Sequence, residues 1–395
     1  MTRRFLPLAL CVVFVACSDA TMLPEVRELS IDPDMGLVEG VGSTIQFRVT
    51  ALAEDGTTLS TSGVQWSSDD PNVATISGSG LATAVAEGFT TVRASLDGRS
   101  AAAGLEVFVP VDTMSPGGFI PGESYFGREN YVEFIPGTLP VVLSSGHGGS
   151  ERPAEIPDRT FGVVRADLFT LQLTMAARDA LIDLTGHAPH VVLSHLHRSK
   201  LDPNREIVEA AQGNPFAEQA WEEYHSFVDT ARALAATDGD AMYFDMHGHA
   251  HTIFRLELGY LLSGSQLDGT DTSLNDIQII RQSSIRALGE SSPLDFSALL
   301  RGPTSFGGFL EGEGVASVPS PSDPSPMGTP YFTGGYSTVR HGSLAAGEVV
   351  SGIQIEHHYP GLLDSDANRR AYAERLARAI RDYMLEHMGY FEPQP

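Results

Sequence analysis

The sequence predicts two folded parts: an N-terminal antiparallel β-sandwich, then an α/β/α domain whose mixed sheet is largely parallel. Three observations predict this. Between about 26 and 109, short alternating runs such as STIQFRVTAL and GLEVFV are separated by turn residues. From about 126 to 395, apolar strands alternate with stretches of helical periodicity, which implies parallel strands covered on both faces. Between the two lies PVDTMSPGGFIPGES, rich in Pro, Gly and Ser, a linker over 110–125.

The elements follow in order. MTRRFLPLALCVVFVACSDA opens with two arginines, continues in an apolar run from Phe5 and reaches Cys17. The run is too short to span a bilayer comfortably, so residues 1–17 read as an export signal. FVAC resembles a bacterial lipobox, which implies that Cys17 is the lipid-anchored first residue of a mature chain held at the cell envelope; plain secretion is the alternative. A short tether, 18–25, follows. The only cysteines, Cys11 and Cys17, both fall in the signal, so the mature body offers no disulfide and no thiolate. Any metal is left to His, Asp or Glu. The formal net charge of −25 disfavours nucleic acid and an anionic membrane surface as partners, leaving membrane contact to the anchor.

In the sandwich, alternation puts Ile45, Phe47, Val49 and Ala51 on one face. The run VQWSSDDPNVATISGSGLATAVAEGFTTVRAS resembles the bacterial immunoglobulin-like group 2 domain. The resemblance implies an immunoglobulin-like sandwich with Trp66 as its core tryptophan and GLATAVAEG as a hairpin, acting as a spacer or adhesive unit at the cell surface.

In the second part, strands are predicted at LPVVLSS, HVVLSHL, AMYFDMH, RLELGYLLS and VVSGIQIE. Helices are predicted over 167–183, 217–236, 276–289 and 367–388, and a long irregular loop over 316–343. Trp221, Tyr224 and Phe227 sit at helical spacing and read as core. Ligands of open α/β sheets gather at the carboxyl ends of strands. Four strands here end in chemically loaded sequence: His147 and Glu151 after the first, His195, His197, Arg198, Asp202, Asn204 and Arg205 after the second, Asp245, His247, His249 and His251 at the third, Glu356, His357 and His358 at the last.

The glycines around His147 allow a sharp turn and a close ligand. Asp245 and His247 share one side of a strand, so the aspartate could orient an imidazole as carboxylates do around zinc. Glu356 would emerge from the sheet centre as a general base, or be held by an arginine. Arg198 and Arg205 could grip a carboxylate with two hydrogen bonds, or serve as structural ion pairs.

The order of these signals resembles the N-formylglutamate amidohydrolase family, a branch of the zinc carboxypeptidase-like hydrolases. SSGHGG, RSKLDPNRE, DMHGH and IQIE carry the likeness. It implies a zinc carboxypeptidase-like fold with zinc on His147 and His247, and Glu356 as catalytic base or acid. Asn204 and Arg205 would hold the carboxylate of an acyl-amino acid or peptide-like substrate, and Arg198 would help there or polarise the scissile carbonyl. Zinc carboxypeptidases use His-x-x-Glu, but Ser150 stands at that glutamate's position. Glu151 is therefore taken as the remaining ligand, with Asp167, Glu155 and Asp158 as rivals. The expected reaction is hydrolysis of an amide next to a carboxylate in an acyl-amino acid, γ-glutamyl compound or peptide. Export argues against the small metabolite N-formylglutamate itself. The alternatives are a metallocarboxypeptidase and a non-catalytic surface binding protein on a hydrolase fold.

Overall fold

The structure, a computed structural model, describes residues 25–33, 35–108 and 118–390. The signal with Cys17, the tether up to residue 24 and the first part of the linker lie outside the described residues. The chain divides into two compact units, 1–109 and 110–395. Among the described residues no helix is long and apolar enough to cross a membrane.

The first unit is all β. One sheet pairs β1 (Glu28–Asp32) with β4 (Arg48–Leu52). A second runs β2 (Met35–Glu39), β9 (Arg99–Phe108), β8 (Gly88–Leu96), β5 (Gln65–Ser68), and a third runs β3 (Thr44–Gln46), β7 (Leu81–Ala84), β6 (Ala74–Ile76). Phe47, Val92 and Leu105 fill the core between them. Three expectations are corrected. β2 runs parallel to β9, because the two are joined through the whole unit and no hairpin fixes their direction. GLATAVAEG is not a hairpin: β7 pairs with β6 and β3 while β8 belongs to the other sheet, so the tight turn lies earlier, between β6 and β7. Trp66 is only half-buried and packs against the core from its margin.

The second unit is built on one eight-stranded sheet. Its strands are β10 (Tyr125–Phe126), β11 (Val132–Ile135), β12 (Val141–Ser145), β13 (His190–Ser194), β14 (Ala241–His249), β15 (Leu256–Gly259), β16 (Ser317–Val318) and β17 (Val350–His358). The order is β10-β11-β13-β12-β14-β17-β15-β16. The four central strands β13, β12, β14 and β17 are mutually parallel, and antiparallel partners flank them. Their side chains are buried on both faces, as near-continuous apolar runs require.

Leu143, Phe244, Met246, Ile353 and Ile355 pack into one core with helices Thr170–Thr185 and Asp366–Met388. Helix Pro215–Ala235 lies against β11 to β14 and buries Phe216, Tyr224 and Phe227; Asn214 caps it by accepting the Ala217 N–H at 3.0 Å. The period of two then turns Ser144, Asp245, His247, Gln354 and Glu356 away from the first core.

The predicted helix over 276–289 is broken into Ile277–Ile280 and Arg286–Ser291. The backbone of Ser284 between them is used elsewhere: its N–H donates to Tyr260 and its carbonyl accepts from Gly352 and Ser343. The loop over 316–343 carries the edge strand β16 and a short helix, Tyr336–His341.

Candidate metal centre

From β12 the chain passes to β13 on one side and then returns to β14 on the other. That reversal opens a crevice at the carboxyl ends of β12 and β14, where such sheets bind ligands. His147 follows β12 and His247 lies near the end of β14. The register pairs His247 with Glu356 of β17 and Glu356 with Glu257 of β15, so three polar side chains cross the sheet in a row.

Three atoms converge in the crevice. His147 Nδ1 lies 3.0 Å from His247 Nδ1, and Asp167 Oδ2 lies 3.2 Å from each. The other nitrogen of each ring faces a second carboxylate: His147 Nε2 is 2.6 Å from Asp202 Oδ1, and His247 Nε2 is 2.9 Å from Asp245 Oδ2. Asp245 is itself held by the Ser144 hydroxyl at 2.8 Å. For His147 the hydrogen bond to Asp202 puts the hydrogen of the neutral ring on Nε2 and leaves Nδ1 a lone pair toward Asp167; His247 Nε2 lies near Asp245 without a hydrogen bond to it, so its tautomer is set by what its Nδ1 meets.

Three electron-pair donors at this separation repel unless a proton or a cation lies among them. A proton bridges only two of them. A tetrahedral ion with bonds of about 2.0–2.1 Å holds neighbouring ligand atoms about 3.3 Å apart, close to what is seen. Two imidazoles and a carboxylate suit zinc by ligand type, leaving one position open.

The electrostatics agree. Burial opposes ionisation of Asp167, yet the His147 and His247 rings outweigh it and hold the carboxyl below the ordinary range. Asp202 and Asp245 are likewise lowered against burial, Asp202 by His147 and Arg198 and Asp245 by His247 and Ser144. Burial opposes charge on His247, but Asp245, Asp167 and Glu356 push its pKa well up. Glu356 goes the other way: burial raises its carboxyl to about 8, against the pull of His247. Its Oε1 accepts from Gln354 at 2.9 Å, while its buried Oε2 has no hydrogen-bond partner among the described residues. A buried oxygen left in this state needs an explanation.

The expected ligand Glu151 is elsewhere. Gly148 and Gly149 carry the chain hard against its neighbours: a Cβ on Gly148 would meet the Leu171 nitrogen at 2.4 Å and one on Gly149 the His195 carbonyl carbon at 2.3 Å. The glycines thus serve packing rather than ligand access. The backbone of Glu151 bonds to the 195–197 segment, and its side chain is exposed. Asp167 is the carboxylate that meets the imidazoles, fixed by the Gly248 N–H and by its own N–H on the His147 carbonyl. Glu155 bonds Tyr131, and Asp158 bonds Lys200 and Ser199.

Asn204 and Arg205 differ in what they leave available. Asn204 is buried, accepts the Ser337 N–H at 2.8 Å and turns its Nδ2 to within 3.4 Å of His247. Arg205 donates to the Asn204 carbonyl and pairs with Glu209 at 3.3 Å. Asn204 is thus tied inward, whereas Arg205 stays partly exposed beside a partly exposed Glu209. Arg198 is held by Asp202 at 2.8 Å and Asp167 at 3.4 Å, and its charge is felt by Glu356. His357 donates from Nδ1 to the His247 carbonyl, and His195 pairs with Glu133.

The roles of Asp202, Ser144 and Gln354 were not read from the sequence. A period-two pattern could have placed Ser144 and Gln354 on the site's face; Asp202 stands in the RSKLDPNRE segment, but nothing local shows that it faces His147. A second cluster, His249, His251 and Glu257, also brings ligand atoms within 4.8 Å. Hydrogens account for it: the His251 N–H donates to His249 Nδ1 at 3.1 Å, His249 Nε2 donates to the Arg255 carbonyl, and His251 Nδ1 donates to Glu257 at 2.7 Å.

Among solved structures, the gene product Atu2144 from Agrobacterium tumefaciens is similar at 15% identity, with a TM-score of 0.38 over 65% of this chain and 95% of that one. Domains 4 and 5 of the S-layer protein SbsC match at 25% identity and a TM-score of 0.20 over 22% of this chain, which spans 53% of that fragment. An intimin mutant from EHEC O157:H7 matches at 21% identity and a TM-score of 0.15, over 20% of this chain and 45% of that one. No curated protein matches the chain. Residues 25–105 match the family model described as bacterial Ig-like domain (group 2).

Proposed function

We propose that the second unit is a zinc-dependent amidohydrolase, carried at the cell surface behind an Ig-like domain. The observation that carries this reading is the convergence of His147 Nδ1, His247 Nδ1 and Asp167 Oδ2, each imidazole backed by its own carboxylate. A bound zinc ion would polarise a carbonyl and make water more acidic. Glu356 supplies the base. Its unpartnered Oε2 can take a proton from water as the water oxygen bonds to the carbonyl carbon. The C–N bond then breaks, giving a carboxylate and an amine.

Near neutral pH the Glu356 carboxyl would hold its own proton at a value of about 8, and a divalent cation beside it would draw that value down. Arg198, fixed by Asp202 and Asp167, places positive charge where the oxyanion develops. With Asn204 buried, the partly exposed Arg205 and the exposed Arg165, on the loop that carries Asp167 and without an ion pair among the described residues, are the cations for an anionic substrate. An acyl-amino acid, a γ-glutamyl compound or a peptide fits this arrangement. Anchoring through Cys17 belongs to the same proposal.

Metal analysis of the purified mature protein tests it, coupled to a turnover screen on acyl-amino acids, γ-glutamyl peptides and ordinary peptides. About one zinc per chain is expected, lost in His147→Ala with the fold retained. C-terminal trimming alone would identify a carboxypeptidase. A folded wild-type protein that takes up no metal would leave only a binding role.

A further inference from the structure

We propose that His251, oriented by Glu257, is a second acid–base residue that protonates the leaving amine. The proposal rests on the amidohydrolase reading and adds to it. Glu257 is fully buried, directly across the sheet from Glu356. Its Oε2 accepts the Phe332 N–H at 2.8 Å and its Oε1 receives His251 Nδ1 at 2.7 Å, so the carboxylate cannot swing. The His251 ring is stacked on Phe332, with centroids 4.8 Å apart and planes 6° from parallel, and its backbone N–H is tied to His249.

A carboxylate on Nδ1 fixes the tautomer and turns Nε2 outward; Nε2 has no hydrogen-bond partner among the described residues, and His251 is partly exposed. The neighbouring His249 uses both ring nitrogens, and although His195 is likewise held through one nitrogen by Glu133, only the carboxylate that holds His251 lies across the sheet from Glu356. An oriented imidazole with one free nitrogen, on a carboxylate adjoining the proposed base, has the arrangement needed to move a proton.

The step balances. Glu356 takes one water proton as the C–O bond forms. The His251 imidazolium gives its Nε2 proton to the nitrogen as the C–N bond breaks. The carboxylic acid product then returns a proton to His251, and Glu356 passes its proton to the free amine.

Leaving-group dependence tests this in metal-loaded full-length protein, using one acyl group on an alkyl amide, an anilide, a p-nitroanilide and a phenyl ester. In His251→Ala, kcat/KM on the alkyl amide should fall about 10²-fold or more, and on the phenyl ester less than about tenfold, because phenolate leaves without a proton. Glu257→Gln should show the same graded loss, and His251→Gln should fold without restoring the amide rate. An equal loss across all four leaving groups would overturn the proposal, as would two metal ions per chain with one lost in His251→Ala. No turnover by the wild type of any substrate would instead remove the hydrolase reading on which the step depends.

Discussion

Glu356→Gln should stabilise the metal-free protein at alkaline pH while abolishing turnover. The wild-type carboxyl sits at about 8 instead of its ordinary 4.5, chiefly through burial. A carboxyl whose folded pKa is raised binds its proton more tightly when folded. Its ionisation therefore costs nothing below about 4.5, costs progressively more as pH climbs, and reaches its full cost above about 8. Across that window linkage gives a ceiling of about 5 kcal/mol. Coupling to His247 and the burial of an amide reduce the expected gain to roughly 2 kcal/mol.

For a domain of this size that is on the order of 5 °C in melting temperature. Gln354 can still donate to the variant's oxygen, and its new NH2 replaces the unpartnered Oε2. Calorimetry in chelator at about pH 5 and about pH 8.5 reads the difference. The gain should be present at the higher pH and nearly absent at the lower. Equal gains at both, or none, would show that Glu356 carries no buried charge and would end the argument for it as the base.

Three further outcomes follow from the site. Asp167→Ala should lose the metal, whereas Glu151→Ala should keep it, by mass spectrometry of the equilibrated proteins. Asp202→Asn and Asp245→Asn should each weaken metal affinity about 10–100-fold without removing a ligand, since Asp202 is hydrogen-bonded to the outer nitrogen of His147 and the Asp245 carboxylate lies 2.9 Å from that of His247. Metal binding should release protons near neutral pH, because His247 and Glu356 both have raised pKa values without the ion. Titration calorimetry in buffers of different ionisation enthalpy measures that release, and an uptake of protons would reverse the assignment.

The strands and the residues at their ends were legible because a buried parallel sheet writes a local pattern: apolar runs that stop in polar residues. That pattern put His147, His247 and Glu356 at strand ends; joining them into one site came from the family resemblance, and the strand order that makes them neighbours is seen only in the fold. The ligand carboxylate was not legible. Sequence proximity favoured Glu151, but Gly148 packs the chain on Thr170 and Leu171 and Gly149 packs it on the residues just after β13, and the carboxylate arrives from 20 residues downstream of His147. Asp202 reaches His147 across 55 residues, a contact set by the loop after β13 rather than by any spacing. Asn204 looked available because its partner Ser337, 133 residues away, is chosen by the tertiary path. Within the Ig-like sandwich, the hairpin that the family resemblance implied at GLATAVAEG is replaced by β7 and β8 parting into different sheets.

The charge around the crevice explains why a cation and an unpartnered glutamate belong together. Asp167, Asp202, Asp245, Glu257 and Glu356 are all buried there, and Arg198 and Arg159 are the buried guanidinium groups beside them. Left to itself, such a set is neutralised by protons, which is what the raised values of His247 and Glu356 express. A divalent ion would replace those protons with charge that does not leave as pH rises. It would free Glu356 to ionise at the moment its oxygen has no other partner. The same oxygen that weakens the empty fold is then the one positioned to act on water, and the two properties cannot be separated by substitution at that position.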